Sequence, residues 1–240
     1  MAGNLVNSQM KKFGLIGGIG PESSIAYYRL IVKEFQDKLN TKDYPELVMH
    51  SINMTEMLSY VYADRLDELC DFLMTRVDLL ESSGVDFAAM ASNTPHIVFD
   101  QLSERSGIPL ISIVEETCKS VKEKGLNRVG LFGTKSTMTA GFYQETAKRH
   151  GIEMISPGRA EQDYIHEKYM GELVLNQIIP DTKKKLVDIA KSLVGEASIE
   201  GLVLGGTELP LILNQSDLPG LQIFDTTEIH VAAIISEMLS

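Results

Sequence analysis

The chain has no tryptophan and only two cysteines, Cys70 and Cys118, in 240 residues. Two thiols cannot staple a secreted-type disulfide framework, and they point to a reducing compartment, the cytoplasm. Basic side chains are scarce: 22 Lys and Arg stand against 33 Asp and Glu, a formal charge of −11. A surface of that sign repels phosphate backbones, which argues against nucleic acid as a partner. No apolar run reaches the roughly 18 residues of a membrane span. The polar stretch Met1–Gln9 lacks the apolar region of a secretory signal, and Met10-Lys11-Lys12 reads like a second start. The five histidines (His50, His96, His150, His166, His230) show no HxH, HExxH or Cys/His ligand spacing, so no metal centre is expected.

What is present is ordinary globular composition, 44% hydrophobic and 23% charged, enough for one large domain or two small ones. Cys70 shares a stripe with Leu66, Leu69, Leu73, Val77 and Leu80 at helical spacing. Cys118 lies between Val114 and Val121 on another predicted helix. Both read as small buried hydrophobes rather than reactive thiols. Phe13–Gly17 is a short apolar run ending in glycines. Pro21 then opens a helix with Glu22 in its first turn and Tyr27, Leu30, Ile31 and Phe35 on the buried side. Further strands are expected at Glu46–Ile52, Val85–Ala91, Leu110–Val114, Val129–Phe132, Leu202–Leu204 and Leu221–Phe224. Continuous apolar runs separated by helix-length segments imply an α/β fold with doubly wound parallel sheets.

The chain is also written twice. Gly14-Leu15-Ile16-Gly17 returns as Gly130-Leu131-Phe132-Gly133, and Tyr27 returns as Tyr143, each 116 residues later. The strand entering Ser92-Asn93-Thr94 matches the one entering Gly206-Thr207-Glu208 at an offset of 114, and Ile113-Val114-Glu115 matches Ile223-Phe224-Asp225 at 110. Four blocks in one order imply two pseudo-symmetric α/β halves. Ligands of parallel sheets sit beyond the carboxyl ends of strands. Small polar clusters stand at those ends: Gly18-Ile19-Gly20, Ser92-Asn93-Thr94, Gly133-Thr134 and Gly206-Thr207-Glu208. Any one of them alone is a turn or an N-cap. Together they suggest a cradle for a small anion, built from backbone amides and hydroxyls. A dinucleotide fingerprint would need a third glycine where Ser23 stands, so a plain anion-binding loop is the better reading and no cofactor is expected.

These residues resemble the pyridoxal-independent aspartate/glutamate racemases, in particular the aspartate racemase branch. The resemblance runs from Met10 over nearly the whole chain. It rests on Gly-Gly-x-Gly-Pro-Glu at 17–22, Asn-Thr-Pro-His at 93–96, Gly-Thr-x-x-Thr-Met at 133–138, Gly-Thr-Glu-Leu at 206–209 and Phe-Asp-Thr-Thr at 224–227. It implies two halves with the active-site cleft between them, the chain passing from the first to the second and back. The halves expected are 1–106 plus 222–240, and 107–221. It also implies a homodimer acting on a small amino acid or dicarboxylate.

The chemistry so implied is removal of the α-proton from one face of an amino acid and reprotonation from the other, which needs two proton-transfer groups. By resemblance Asn93, Thr94 and Thr207 hold the substrate's carboxylate or amine, with Thr134 beside them. Ile19 stands at the substrate-contacting loop, Tyr164 near the start of a helix that often carries a lysine, and Tyr60–Tyr62 near the side-chain carboxylate. The sequence departs from the pattern at the two catalytic thiols, which are replaced by Ser92 and Gly206. Ser92 keeps a hydroxyl that a neighbour can activate, as family members with threonine there do; Gly206 has no side chain. Asp163 and Tyr164 stand where the lysine is often found, and Lys168 lies one turn further. Two alternatives therefore accompany a racemase: a catalytically inactive binder of dicarboxylates or amino acids, and an isomerase or decarboxylase using one base.

Overall fold

The computed structural model describes residues 10–240; the expectation for Met1–Gln9 lies outside them. The chain alternates strand and helix as β1 (Phe13–Gly17), α1 (Pro21–Leu39), β2 (Leu47–Ser51), α2 (Met54–Tyr62), α3 (Leu66–Ser82), β3 (Phe87–Met90), α4 (Phe99–Arg105) and β4 (Leu110–Ile111). There follow α5 (Ile113–Glu123), β5 (Arg128–Gly133), α6 (Lys135–Thr139), α7 (Phe142–Arg149), β6 (Glu153–Ile155), α8 (Arg159–Gly171), α9 (Pro180–Ala197), β7 (Gly201–Gly205), β8 (Gln222–Asp225) and α10 (Thr226–Met238). No helix among the described residues is long and apolar enough to cross a membrane.

The strands form two four-stranded parallel sheets, ordered β2-β1-β3-β4 and β6-β5-β7-β8. In the first sheet, alternate residues point to opposite faces, as the strand period of two requires. Phe13, Leu15, Phe87 and Ala89 pack with Tyr27, Ile31 and Phe35 of α1 and with Val231, Ile234 and Ile235 of α10. Ile16, Ala88 and Met90 pack on the other side with Leu69, Cys70, Leu73 and Val77 of α3. Burial on both faces is why these strands read as unbroken apolar runs. Pro21 starts α1 because its fixed φ suits the first helical position, and Asn40 ends the helix in the left-handed conformation.

The register of pairing carries the internal repeat. Gly14 pairs with Ala88 and Ala88 with Leu110; in the second sheet Gly130 pairs with Leu202 and Leu202 with Ile223. From Gly14 to Gly130 is 116 residues, from Ala88 to Leu202 is 114, and from Leu110 to Ile223 is 113. The last value corrects the sequence expectation of 110. Ile113-Val114-Glu115 is the first turn of α5, whereas Ile223-Phe224-Asp225 is strand β8.

Pairing also moves the boundaries of the halves. β4 was expected in the second half and pairs with β3 of the first; β8 was expected in the first and pairs with β7 of the second. The compact units are accordingly 10–112 with 230–240, and 113–229. The helix after each fourth strand changes unit. In α5, Ile113, Val114, Cys118 and Val121 join the second unit's core, and from His230 onward α10 joins the first unit's core. One buried pair repeats with this exchange. The Tyr27 hydroxyl meets His230 Nδ1 at 2.7 Å, and its counterpart Tyr143 is hydrogen bonded to Thr117, which is 113 residues before His230.

Candidate functional site

In the first unit, the loop after β1 turns back on glycine. Gly18 has a φ of +80°, and a Cβ there would stand 2.5 Å from the Ile52 carbonyl, so a side chain is excluded. Its N–H donates to Ser24 Oγ at 2.7 Å, and Ile19 beside it is buried. The Ser23 hydroxyl donates to the Ala91 carbonyl at 2.6 Å, which ties the start of α1 to the end of β3. The absence of a third glycine at position 23 thus has a structural use. Ser92, Asn93 and Thr94 follow at the end of β3, all buried, and lead into a 3-10 helix over Thr94–Val98.

Beneath them lie two buried histidines. His230 Nε2 faces the Ile111 carbonyl at 3.0 Å and therefore carries the proton, which leaves Nδ1 to accept from Tyr27. Burial pushes His230 down to about 4 and His96 to about 3, with the neighbouring His230 adding to the effect on His96 and hydrogen bonds to the Ser92 and Asn93 backbone opposing it. Both rings are neutral at pH 7; His96 is hydrogen bonded to the backbone at Ser92 and Asn93, and His230 to Tyr27 and Ile111.

The second unit repeats the arrangement with different chemistry. Gly133 pairs with Gly205, so Thr134 and Gly206 leave adjacent strands side by side. Thr134 caps α6, accepting from the Thr137 N–H at 3.2 Å, and its hydroxyl lies 3.0 Å from that of Thr137. The Lys135 ammonium reaches Asp163 Oδ1 at 2.6 Å and its N–H donates to His166 Nδ1 at 3.2 Å, which anchors α6 to α8. Tyr164 packs against the core, and the Lys168 ammonium lies 5.8 Å from its ring. Lys168 is engaged by Glu172 at 2.8 Å.

Position 206 is occupied in space although it has no side chain. A Cβ placed on Gly206 would run into the Tyr169 ring, with Tyr169 Cζ and Oη each at 3.0 Å. The Tyr169 hydroxyl donates to Glu208 Oε2, and the Thr207 hydroxyl donates to the same oxygen at 2.8 Å. Tyr169, Thr207 and Glu208 are all buried. Burial, then the Glu208 carboxylate, hold the Tyr169 phenol well above its ordinary pKa, so it keeps its proton.

By register Ser92 corresponds to Gly206, Asn93 to Thr207 and Thr94 to Glu208. Each unit therefore gathers its own predicted residues: Ile19, Ser92, Asn93 and Thr94 in the first, Thr134, Gly206 and Thr207 in the second. Tyr60 packs against Phe72 with Arg65 over its ring, and Tyr62 is exposed. Sequence reasoning missed Tyr169. At one-turn intervals Ile165, Tyr169 and Leu173 read as a core stripe, and nothing in that spacing marks the phenol as the neighbour of residue 206. Both cysteines are buried as expected; burial raises Cys70 and pushes Cys118 up to about 12.

Comparison with known proteins agrees with this architecture. Residues 16–234 match the family model of the Asp/Glu/Hydantoin racemases. The chain belongs to that family. It is 30% identical over 156 residues to the broad specificity amino-acid racemase RacX of Bacillus subtilis (strain 168), a match over 62% of this chain and 66% of that protein. It is 28% identical over 154 residues to the glutamate racemase of Aquifex aeolicus (strain VF5), over 62% of this chain and 58% of that protein. The chain thus spans less than two thirds of the length of either relative. Among solved structures, an aspartate racemase homologue from Pyrococcus horikoshii OT3 superimposes with a TM-score of 0.84 at 33% identity, covering 96% of this chain and 100% of that one.

Proposed function

We propose that this protein is an amino-acid racemase of the aspartate/glutamate type, acting without pyridoxal by removing and returning the proton at the α-carbon. The observation that carries the reading is the family match together with the register equivalence of positions 92 and 206, the two places where the sequence resemblance puts proton-transfer groups. Ser92 is the proton-transfer group of the first unit. Position 206 is its counterpart by register in the second, with no side chain of its own. Asn93, Thr94, Thr134 and Thr207 hold the substrate carboxylate and amine, and Ile19 and Tyr164 border it. Hydrogen bonds from these hydroxyls and amides must supply the stabilisation of the carbanion-like state that a cofactor gives elsewhere. A homodimer in the cytoplasm belongs to the same proposal.

A dicarboxylate-binding protein that performs no chemistry is the second reading, and the glycine at 206 is the observation that favours it. Incubation with L- and D-aspartate and glutamate in deuterated water separates the two. Deuterium uptake at the α-carbon with inversion is the expected result. Uptake with retention indicates an isomerase using one base, and binding without uptake indicates the binder.

A further inference from the structure

We infer that Tyr169, backed by Glu208, supplies the proton transfer that Gly206 cannot. The inference rests on the racemase reading above and names the group acting on the side of position 206.

A residue at 206 with an acid–base side chain would project its Cβ where the Tyr169 ring lies, with the phenol oxygen 3.0 Å from that point. Removing the side chain at 206 has not left a void; a different functional group fills the same volume. The backbone does not demand glycine there, since Gly206 lies outside the positive-φ glycines. What demands it is Tyr169. Glycine at 206 and tyrosine at 169 are thus two halves of one exchange, a large side chain from α8 in place of a small one at the end of β7.

The second observation is the partner of the phenol. Tyr169 donates to Glu208 Oε2, which also accepts from Thr207 at 2.8 Å, and Glu208 is only 2% exposed. A phenol whose only role was to fill volume would need no buried carboxylate behind it, and burying one is costly unless its hydrogen bonds are made. The phenol thus has a base one hydrogen bond behind it, the arrangement of an activated hydroxyl.

Proton movement through the pair balances. When Tyr169 Oη takes the α-proton, the Cα–H bond breaks and a new O–H bond forms. The proton already on Oη passes to Glu208 Oε2, leaving a neutral phenol, a neutral carboxyl and the carbanion. The reverse step starts from the state the forward step leaves, with Glu208 as the neutral carboxyl: Oη delivers its proton to the α-carbanion, forming the Cα–H bond, and the Glu208 carboxyl proton passes to Oη, restoring the phenol and the carboxylate. No oxidant or co-reactant enters. Thr207, on the same carboxylate oxygen, fixes the direction in which Glu208 presents it.

The test measures α-deuterium uptake in deuterated water from L- and from D-substrate separately, for the wild type, Tyr169→Phe and Glu208→Gln. Phenylalanine keeps the ring over Gly206 and removes only Oη; glutamine keeps the shape of the carboxylate and removes its basicity. Tyr169→Phe is expected to lower uptake from one enantiomer by about 10²–10⁴-fold, the usual contribution of a positioned acid–base group, while uptake from the other stays within about threefold. Glu208→Gln is expected to lower uptake from the same enantiomer and to flatten its pH profile, which a purely structural role would leave unchanged. Uptake unchanged for both enantiomers, or lowered equally for both, overturns the assignment of Tyr169. An unchanged pH profile in a folded Glu208→Gln variant overturns that of Glu208, and does so even if the phenylalanine variant fails to fold. A wild type that takes up no deuterium from any of the four substrates overturns the racemase reading itself, a different failure from either of these.

Discussion

Replacing Gly206 with alanine isolates the packing of Tyr169 against the end of β7. One methyl is added, and the backbone at 206 tolerates it because φ there is not positive. Its carbon would overlap the Tyr169 ring, with Cζ and Oη at 3.0 Å. The ring has no free swing, because its hydroxyl is held by the buried Glu208. Two relaxations are open. Forcing the methyl in beside an unmoved ring costs about 1–3 kcal/mol, the usual range for overpacking. Displacing the ring breaks a hydrogen bond to a charged group, about 1.5–3 kcal/mol. The cheaper route sets the result, so about 2 kcal/mol is expected, a fall in Tm of about 4–8 °C for a chain of this size. With Tyr169→Ala the obstruction is gone. Gly206→Ala should then cost less than about 0.5 kcal/mol, and the reduced freedom of the unfolded chain can make it favourable. The coupling between the two sites, read from urea unfolding of the four proteins by circular dichroism, should reach about 1.5 kcal/mol or more. A Gly206→Ala protein that melts within about 1 °C of the wild type, or a penalty of equal size in both backgrounds, would refute the steric exchange of glycine for tyrosine.

Two further outcomes are expected. His230 is held neutral down to about pH 4 in the folded chain, against an ordinary histidine value of 6.5. Between those values the unfolded chain binds the proton and the folded chain does not, so stability falls as pH drops from about 6.5 to 4, by about 3 kcal/mol for this ring alone. Asp225 works in the opposite sense, since burial raises it to about 6, and its contribution is lost as pH rises from about 4 through 6. The Tm of His230→Asn compared with wild type across pH 7 to 4.5 subtracts that background; equal slopes would show that His230 is not the source. Neither cysteine is expected to react with Ellman's reagent in the folded protein at pH 8, because both are buried and shifted toward the thiol form, and both should react in urea. Rapid labelling of the native protein would contradict the burial.

Much of the fold was legible in the order of residues. The strand cores at Phe13–Gly17 and Val129–Phe132 fall where the apolar runs put them, because a strand buried on both faces cannot conceal its hydrophobicity. The repeat was visible too, since each half must build the same glycine-ended first strand and the same buried tyrosine. The ends of β3 and β7 could be singled out as candidate sites because small polar clusters recur at equivalent places in the two halves. The fourth strands were expected at Leu110–Val114 and Leu221–Phe224 and are found there, but the end of β4 and the sheet each one joins were not legible. Leu110–Ile111 is too short and only half-buried, and the helix that follows it begins with the equally apolar Ile113 and Val114, so composition alone draws no line between them. Their assignment to a sheet depends on which backbone supplies the hydrogen bonds.

From the sequence alone followed the two-halved α/β plan and the strand ends that carry Ser92 and Gly206. Tertiary structure alone decided which sheet takes β4 and β8, which core takes α5 and α10, and what stands over the bare glycine. The physical reason is one of range. Hydrophobic period is a local property, set by the geometry of a strand or helix against whatever apolar surface covers it. Pairing register, the exchange of helices between units, and the meeting of Tyr169 with Gly206 and Glu208 join segments far apart in the chain. They exist only once the backbone hydrogen bonds have chosen their partners.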